Sequence, residues 1–384
     1  MEDRIEYKIA EMVKEEGGTT YYVGGYVRDS FLGIDNKDID IEVHGINEKK
    51  LLSVLNKVGK SVSYGKQFGI YSLAGENIDI ALPRTEKKTG EGHNDFEVII
   101  DPNMDIETSI KRRDFTINAI YKNVLTEEII DPFNGVEDIE NKIIRHVDAL
   151  TFVEDPLRVL RACQFAARFN FDIADETIAL CKTIDISTLS KERVEEELKK
   201  ALLKSEKPSI FFNYLKQMSQ NDYWFKDVDL KFVDKANEYI SDVENKYAYL
   251  LNALSIDTNL DITKFTSDKD TINCFTVTKK YINKQFKNNL SFYKVVGQLK
   301  DPVDFVYLRT SINKKDEELF DKLITYGKLI EKPCVTGKDL IASGMEAGPK
   351  FNEALKYAND LRLLGIEKEE ALKIVLEFMK KDNV

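Results

Sequence analysis

Hydrophobic and polar positions divide the chain into a first part that alternates helix and strand patterns and a longer part in which helix patterns predominate. The first part, about 125 residues long, combines helical spacing with short runs of strand-like alternation. The last two strand-like runs predict a hairpin that turns at 74–76. Helices are predicted at 5–16 and 48–58. Strands are predicted at 20–23, 38–44, 68–73 and 77–82.

From about residue 148 the strand signal fades, and helices are predicted at 155–169, 175–184 and 191–203 and over most of the remaining chain. We find no internal repeat and no low-complexity linker. The expected fold class is α+β, with an N-terminal α/β head that contains a small mixed sheet. An all-helical neck, body and tail are expected to follow it.

The chain has 384 residues, of which 42% are hydrophobic, so it is long enough for several packed units. Its longest apolar runs are too short to cross a bilayer, and its N-terminus has no secretory signal pattern. The four cysteines are scattered without metal-ligand spacing, which favours a reducing compartment over a disulfide framework. We therefore expect a cytoplasmic protein without membrane contact.

The net charge of −11 argues against a protein that coats nucleic acid, because affinity for phosphate backbones comes from Lys and Arg. One segment, 271–300, departs from this balance with six lysines and no Asp or Glu. Lys280, Lys284 and Lys287 are expected on one helical face with aromatic residues between them, which would suit binding to RNA phosphates and stacking on a base. A solvated lysine face over an aromatic core is the alternative.

Acidic and apolar residues alternate along the strand predicted at 38–44. Because successive strand side chains point to opposite faces, the apolar residues should face the core while Asp38, Asp40 and Glu42 share the other face. Asp79 points outward in a similar run and joins them if the two strands are neighbours. Such carboxylates can converge on Mg²⁺ and support two-metal phosphoryl transfer. A solvated acidic face is the alternative.

Gly24 and Gly25 lie at a predicted strand-to-helix junction, one short helix upstream of the acidic strand. Glycine tolerates positive φ and lets the backbone approach a phosphate closely. The start of the helix offers free N–H groups to an anion, and Arg28 adds a positive charge one turn in. Glycines alone would indicate a tight turn, but their combination with Asp38 and Asp40 is specific.

With these two motifs the sequence resembles the class II tRNA nucleotidyltransferase and bacterial poly(A) polymerase family. Four further segments resemble the family's ribose- and phosphate-contacting motif, its hinge between head and neck, its base-reading helix and the helix that buttresses this reader. In that order they are 112–119, 131–138, 154–162 and 191–198. The segments 335–341 and 344–350 resemble the C-terminal part of CCA-adding members.

The resemblance implies that Asp38 and Asp40 hold metal ions, with Mg²⁺ as the expected cofactor, and Asp79 is the third candidate catalytic carboxylate. It also implies contacts to the incoming nucleotide. The residues from Gly24 to Asn118 in the set below would bind the phosphates and ribose, and Asp155, Arg158 and Arg161 would belong to the base reader. The candidate nucleotide-binding residues are Gly24, Gly25, Arg28, Arg113, Asp114, Asn118, Asp155, Arg158 and Arg161.

Base reading can also be argued from the residue types, since Asp155, Arg158 and Arg161 are spaced by three and lie near one helical face. A carboxylate accepts from the exocyclic amine that cytosine and adenine share, and an arginine donates to their ring acceptors. G and U would leave buried polar groups unpaired. A surface ion pair is the alternative. The family often places an arginine three residues after Arg161, where this chain has Gln164.

The polar segment 83–95 contains two glycines and is expected to be a mobile loop. In the family a flexible loop here accompanies the switch from C to A addition, so its presence favours full CCA addition. An ordinary hairpin excursion is the alternative. His93 is expected to be a polar loop residue rather than a catalyst.

The resemblance thus implies template-independent addition of the 3′-terminal CCA of tRNA from CTP and ATP, without an obligatory protein partner. The expected domains are a nucleotidyltransferase head at 1–145, a helical neck at 146–205, and a helical body and tail for tRNA binding at 206–384. The nearest alternative is a poly(A) polymerase or a partial enzyme that adds only A or only CC. A catalytically dead RNA-binding protein is the alternative from another class.

Overall fold

The computed structural model describes residues 4–63, 69–88, 96–240, 245–346 and 348–381. The chain forms two compact units, the first comprising 1–205 with 210–225 and the second comprising 206–209 with 226–384. In the part of the chain that the structure describes, no helix has both the length and the apolar character needed to cross a membrane.

A seven-stranded sheet underlies the first unit. The strands along the chain are β1 (Thr19–Tyr22), β2 (Ile39–His44), β3 (Ser61–Ser63), β4 (Ile70–Leu73), β5 (Ile78–Ala81), β6 (Arg84–Lys88), β7 (Phe96–Ile100), β8 (Tyr121–Asn123), β9 (Ile129–Ile130), β10 (Ile143–Ile144) and β11 (Asp172–Ile173). The large sheet has the order β3-β4-β5-β2-β1-β8-β9, in which β2 and β5 are parallel and the other neighbours antiparallel. The predicted mixed sheet and its β4–β5 hairpin are therefore confirmed.

Helices flank this sheet and continue beyond it. Those of the first part of the chain are α1 (Ile5–Glu15), α2 (Gly25–Phe31), α3 (Glu48–Val58), α4 (Ile106–Lys111), α5 (Gly135–Glu140), α6 (Ala149–Phe152), α7 (Leu157–Phe169), α8 (Asp175–Cys181), α9 (Lys191–Leu203) and α10 (Ser209–Gln217). The predicted bounds of α3 and α9 are confirmed. In α3, Asn47 caps the first turn and accepts a hydrogen bond from the Lys50 amide, while Leu51 and Leu55 are buried on one face.

Within the segment 83–95, which is expected as a loop, residues 84–88 form the strand β6. Strands β6 and β7 pair in antiparallel register from Arg84 opposite Ile100 to Lys88 opposite Phe96. For residues 84–88 the loop prediction was wrong and the alternative, a hairpin, agrees with the structure. The pairing depends on β7, a partner that local polarity does not reveal. Residues 89–95, which include His93, lie outside the described residues.

Gly135, at the start of α5, allows this helix to pack against the short 3₁₀ turn Thr116–Asn118. A Cβ atom at this position would lie 2.1 Å from the Thr116 carbonyl oxygen, so only glycine fits. Asp131 accepts hydrogen bonds from the Gly135 and Val136 amides at 2.7 and 2.9 Å. This close packing holds the turn that carries Asn118.

The second unit is built from helices and confirms the predicted all-helical character of this part of the chain within the described residues. They are α11 (Val233–Tyr239), α12 (Lys246–Ala253), α13 (Lys269–Tyr281), α14 (Asn289–Val296), α15 (Pro302–Ile312), α16 (Leu319–Glu331), α17 (Gly337–Ala342), α18 (Pro349–Leu363) and α19 (Lys368–Lys381). Helices α17 to α19 enclose a cluster around Leu340, Ala358 and Val375.

The expectation that Lys280, Lys284 and Lys287 share one helical face was wrong, because α13 ends at Tyr281. The Arg309 guanidinium donates from Nη1 to the carbonyl oxygens of Tyr281, Ile282 and Lys284 at 2.7–3.2 Å. These bonds satisfy carbonyl groups at the helix end that have no partner within the helix. Lys284 and Lys287 therefore lie in the connection between α13 and α14.

Candidate active site

The three candidate catalytic carboxylates come together at the adjacent strands β2 and β5. The parallel register places Asp40 directly opposite Asp79, and Asp38 immediately precedes β2. All three line a cavity of about 330 Å³, and Asp38 and Asp79 are exposed. Burial raises the pKa of Asp40 to about 6; the charges of Asp79 and Asp38 act in the same direction, against the nearby Arg113.

This donor set suits a hard divalent cation that also binds a substrate. Among the described residues, no group of three or more His, Cys, Asp or Glu side chains is arranged to hold a metal ion by itself. Mg²⁺ is usually bound by only one or two carboxylates, together with substrate phosphates and water. Burial, together with the charges of the two neighbouring carboxylates, raises the pKa of Asp40, and a bound cation would counteract both effects. Asp38 and Asp40 therefore fit such an ion.

Glu42 has the same strand parity as Asp40 but does not belong to the open carboxylate face on which it was predicted. Its side chain is 1% exposed. Oε1 accepts from Ser109 Oγ at 2.5 Å and Tyr121 Oη at 2.9 Å and lies 2.9 Å from His44 Nε2, while Oε2 accepts from Arg112 Nη2 at 3.1 Å. Burial favours the neutral acid, but the His44 hydrogen bond and two arginine charges outweigh it and lower the pKa of Glu42.

The glycine turn lies beside the carboxylates. Gly24 has φ +65° and ψ −133°, a conformation that favours glycine, and caps α2. A Cβ atom at Gly24 would lie 3.2 Å from Arg113 Nη1 and 3.7 Å from Asp40 Oδ2, so the backbone closely approaches both groups. A larger residue would narrow the space between the arginine and the carboxylate.

Arg28 is held rigidly at the base of this turn and is 4% exposed. Its Nε and Nη2 donate to Asp29 Oδ1 at 2.8 and 2.6 Å, and its Nη1 donates to Asn118 Oδ1 at 2.6 Å. The guanidinium also lies over the rings of Phe165 and Phe169, 5.2 and 4.8 Å from their centroids. Sequence reasoning missed these partners, although Asp29 follows Arg28 directly.

Arg113 and Asp114 are neighbours that point into different networks. Arg113 lies 5.0 Å from the centroid of the Tyr121 ring and donates to Tyr121 Oη at 3.3 Å from Nη2. Asp114 Oδ2 accepts from Arg161 Nε at 2.7 Å, and Oδ1 accepts from Asn118 Nδ2 at 3.0 Å. Burial favours protonation of Asp114, but the Arg161 charge and the Asn118 hydrogen bond outweigh it and lower its pKa.

These groups surround a second cavity of about 330 Å³ within the first unit. Its wall contains the glycine turn, one carboxylate of β2, the Asp114 network and one side of α7 and α9. The lining residues are Gly24, Gly25, Arg28, Asp40, Arg113, Asp114, Asn118, Arg161, Gln164, Phe165, Arg168, Lys200 and Lys204. Six cations and two carboxylates give the cavity a positive balance, which suits an anionic ligand.

Two candidate base readers do not line this cavity. Asp155 accepts from Arg193 Nη2 at 3.0 and 2.9 Å, through both carboxylate oxygens. Arg158 donates from Nη1 to the Thr151 carbonyl at 2.8 Å and from Nη2 to the Arg112 carbonyl at 2.7 Å. The cavity instead receives Arg161 and Gln164 from the next turns of α7. Gln164 is 1% exposed, and its Nε2 has no hydrogen-bond partner among the described residues.

Arg168, Lys200 and Lys204 were not among the residues selected from the sequence. They reach the cavity because α7 and α9 pack together, and the chain gives no local signal of that pairing. The spacing of these residues does indicate which of them share a helix face. Arg161, Gln164 and Arg168 are three and four residues apart, and Lys200 and Lys204 are four residues apart.

The candidate RNA-binding lysines lie in the second unit and are all exposed. The ammonium groups of Lys280 and Lys284 lie 5.0 and 5.1 Å from the centroid of the Tyr281 ring. No ion pair of Lys280, Lys284 or Lys287 with a carboxylate is found in the described part of the chain. Lys279, by contrast, is used internally, since Nζ donates to the carbonyl oxygens of Ser255, Ile256 and Thr258.

Comparisons with known proteins identify relatives of this chain by sequence and by fold. Residues 20–145 match the family described as poly A polymerase head domain. A 202-residue stretch is 42% identical to the multifunctional CCA protein of Stenotrophomonas maltophilia (strain K279a) and covers 51% of this chain. The match covers 48% of that relative, so the chain spans about half the length of the curated relative it matches.

Two solved structures share the fold over nearly the whole chain. A CCA-adding enzyme in its apo form II is 25% identical, with a TM-score of 0.75, over 97% of this chain and 94% of that one. The CCA-adding enzyme of Bacillus stearothermophilus in complex with CTP is 23% identical, with a TM-score of 0.77, over 98% of this chain and 97% of that one. The expected α+β fold class is thereby confirmed. Residues 20–145 thus match the poly A polymerase head domain, and the chain shares its overall fold with CCA-adding enzymes.

Proposed function

We propose that this protein adds or repairs the 3′-terminal CCA of tRNA without a template, with CTP and ATP as substrates. The observation that carries the proposal is the cavity at which Asp40, the glycine turn at Gly24 and the cationic side of α7 meet. A carboxylate site beside an anion-binding wall is what nucleotidyl transfer requires. The relatives named above are a multifunctional CCA protein and CCA-adding enzymes, which supports the same reaction.

The phosphates of the incoming nucleotide would lie between the glycine turn and the fixed arginines. Arg28 is already oriented by Asp29 and Asn118, so binding requires little reordering of its side chain. Arg113 lies next to Gly24 and Asp40, where it would neutralise charge at the reacting phosphate. Asp114 and Asn118, bonded to each other, would face the ribose.

The family depends in general on divalent metal ions, and we propose Mg²⁺ held by Asp38 and Asp40, with Asp79 facing the same cavity. The ion would neutralise phosphate charge and make the attacking hydroxyl more acidic. The 3′-oxygen of the RNA forms a bond to the α-phosphorus while the bond to the pyrophosphate leaving group breaks. Asp79 and Asp40, opposite each other in register, would orient the 3′ end for this in-line attack.

Selection of C and A would involve Asp155, Arg158 and Arg161, as the family resemblance implies. Asp155 and Arg158 are bonded within the protein, to Arg193 and to two carbonyl groups. For these two residues to read a base, the base must replace these partners. Exchange of one set of hydrogen bonds for another costs little when the geometry matches and much when it does not, which is how wrong bases would be rejected.

The body and tail, proposed at 206–384, would hold the tRNA through Lys280, Lys284 and Lys287. The head at 1–145 and neck at 146–205 would carry the chemistry. A solved Thermotoga maritima CCA-adding enzyme complexed with tRNA is 25% identical with a TM-score of 0.70, over 97% of this chain and 94% of that one, which supports tRNA as the partner. Such a substrate suits the cytoplasm, and four cysteines that form no disulfide fit a reducing compartment.

The proposal is tested by incubating the protein with Mg²⁺ and CTP or ATP, together and singly, on tRNA transcripts that end before CCA, after C and after CC. Sequencing of the 3′ ends identifies the products. Addition of C, C and A followed by a stop is expected. A long A tail would indicate a poly(A) polymerase, and addition of only CC or only A a partial enzyme. No extension from any end would favour the dead RNA-binding protein.

A further inference from the structure

Glu42 is the third acidic residue of the alternating strand β2, and the proposed mechanism gives it no role. It lies two residues after Asp40, yet its side chain is 1% exposed. Ser109 and Tyr121 donate to Oε1 at 2.5 and 2.9 Å, and Arg112 donates to Oε2 at 3.1 Å. Because donors of the protein occupy both oxygens, Glu42 acts on other side chains rather than on a ligand.

Tyr121 connects Glu42 to Arg113. Tyr121 is buried, and its hydroxyl donates to Glu42, so the lone pairs of the hydroxyl oxygen can accept from Arg113. Arg113 donates to this oxygen from Nε at 3.4 Å and from Nη2 at 3.3 Å. Arg113 Nη2 also lies 3.8 Å from Glu42 Oε2, which is the one ion pair of Arg113 in the described part of the chain.

The other side of the Arg113 guanidinium lies at the reacting groups. Nη1 is 3.2 Å from the position that a Cβ atom at Gly24 would take, and Asp40 Oδ2 is 3.7 Å from the same position. Arg113 and Asp40 line both the cavity proposed for the nucleotide and a smaller cavity of about 250 Å³, whose wall includes Asp79. With Nε and Nη2 bonded to Tyr121, the guanidinium presents Nη1 to this region.

We propose that Glu42 is a positioning residue for nucleotide addition, which fixes the Arg113 guanidinium beside Asp40 through the Tyr121 hydroxyl. This inference rests on the proposed function, in which Arg113 neutralises charge at the reacting phosphate. A carboxylate suits the task because it only accepts hydrogen bonds and so gives the Tyr121 proton one direction. A charged group that is already oriented stabilises developing charge without reorganisation during the reaction.

Glu6 provides the comparison with a merely structural glutamate. It is 2% exposed, accepts from Tyr22 Oη at 3.2 Å and pairs with Arg4 at 3.4 Å, so its burial and partner types match those of Glu42. Glu6 and these two partners are not among the residues that line the nucleotide cavity or the smaller one. Glu6→Gln is therefore the matched control.

The first test is single-turnover addition of C by the full chain, with Mg²⁺ and saturating tRNA, over a range of CTP concentrations. Glu42→Gln keeps the side-chain size, but its amide can donate as well as accept, so the Tyr121 proton loses its fixed direction. The maximal rate should fall roughly tenfold to thirtyfold, because Arg113 acts on charge that develops in the reaction. The CTP concentration that gives half of this rate should change by less than about threefold.

Tyr121→Phe removes the connecting hydroxyl and keeps the ring, so it tests the same path if Glu42→Gln does not fold. Its maximal rate should fall roughly fivefold to tenfold, the size of a lost hydrogen bond to a charged group. Glu6→Gln should retain the native rate. Thermal unfolding of each variant measures the folded fraction, by which the rates are corrected.

A double-mutant cycle separates positioning from stability. In an Arg113→Gln background the residue that Glu42 positions is absent, so Glu42→Gln should lower the remaining rate by less than about twofold. Full additivity of the two substitutions would show that Glu42 acts on the rate independently of Arg113.

Nitrogen-15 NMR of the arginine side chains gives a readout that does not require activity. The Arg113 Nε–H signal is assigned by its loss in Arg113→Gln. Its exchange with water should be at least about tenfold faster in Glu42→Gln and Tyr121→Phe than in the native chain, because the acceptor is no longer held in place. Glu6→Gln should leave this exchange unchanged.

Several results would overturn the positioning role. They are a native rate in both Glu42→Gln and Tyr121→Phe, a change confined to the half-maximal CTP concentration, an equal loss in Glu6→Gln, full additivity with Arg113→Gln, or unaltered Arg113 exchange. Failure of the proposed function is distinguishable. A native chain that extends no tRNA but whose Arg113 signal responds to Glu42→Gln keeps the positioning and loses the function. A chain that completes CCA at the native rate in both variants keeps the function and loses the positioning.

Discussion

The cavity of the first unit and the basic segment of the second unit, residues 271–300, are both rich in cations, but they use them differently. In the cavity, rigid networks such as Arg28 with Asp29 and Asn118 hold charges close to a carboxylate site. In the basic segment, Lys279 donates hydrogen bonds to carbonyl oxygens of the protein itself, and Lys294 forms an ion pair with Asp360. Lys280 and Lys284 are exposed, and each lies near the ring of Tyr281.

This difference teaches that the number of cations in a segment does not measure its capacity to bind phosphate. Preorganised, partly buried charges favour a small ligand in one geometry, because little further ordering is needed on binding. Exposed lysines on a surface favour a long polyanion, with weak contacts that add and that salt reduces. We therefore expect chemistry in the first unit and RNA affinity from the second.

The largest effect is expected from Asp40→Asn. If Asp40 holds the metal as proposed, loss of its carboxylate removes several kcal/mol of transition-state stabilisation, so nucleotide addition should fall roughly a thousandfold. Single-turnover extension of a tRNA lacking CCA measures it. Glu76→Gln, a change in the same cavity at an exposed position, is the control and should retain activity. An Asp40→Asn protein with near-native turnover would remove the carboxylate site from the account.

A smaller effect is expected from Arg28→Lys. Lysine keeps the charge but cannot make the paired bonds to Asp29 and Asn118 at once, so the KM for CTP should rise roughly tenfold to a hundredfold. Steady-state kinetics with saturating tRNA check this. Arg145→Lys, at an ion pair between the partly exposed Arg145 and the buried Asp138 that does not line the cavity, is the matched control. Equal KM values for the two variants would contradict a preorganised phosphate site.

Lys279→Met should separate structure from RNA binding within the basic segment. The variant loses the hydrogen bonds that Lys279 donates to three carbonyl groups. The free energy of unfolding should therefore fall by about 1–3 kcal/mol. Denaturant unfolding measures the stability of the variant, and a binding titration measures its affinity for tRNA. Affinity for tRNA should be unchanged, and a loss of affinity without a loss of stability would show that Lys279 is an RNA ligand.

The smallest effect is expected from the double variant Lys280→Gln, Lys284→Gln. Affinity for tRNA should fall several-fold, and the slope of log affinity against log salt concentration should decrease by about 1.5 to 2 for two lost phosphate contacts. Binding titrations at several salt concentrations give both values. An unchanged slope would favour the solvated lysine face over the tRNA surface.

The sequence predicted those features that local alternation determines. The pattern of β2 placed Ile41 and Val43 in the core and Asp40 on the opposite face, and the hairpin β4–β5 was found where its turn residues indicated. The bounds of α3 and α9 followed from helical spacing. Asp79 joins the other carboxylates only if the two strands are neighbours, and β5 does pair with β2, which brings Asp79 opposite Asp40.

The features that were missed depend on partners distant in the chain. Glu42 is buried because Ser109, Arg112 and Tyr121 meet it from other elements. Arg168 and Lys204 share a cavity because α7 packs on α9. Asp155 has its acceptor oxygens occupied by Arg193, which lies 38 residues later. Strand parity and helical spacing predict the direction in which a side chain points, but not the residues that it contacts.

The central claim is the division of labour between the two units, and one measurement tests it most directly. Single-turnover CCA addition is followed at saturating tRNA for the native chain, for Asp40→Asn and for the Lys280→Gln, Lys284→Gln variant. The account predicts that the lysine variant reaches the native rate once tRNA saturates it, while Asp40→Asn remains roughly a thousandfold slower at every tRNA concentration. A lysine variant that stays slow at saturation, or an Asp40→Asn chain rescued by more tRNA, would contradict it.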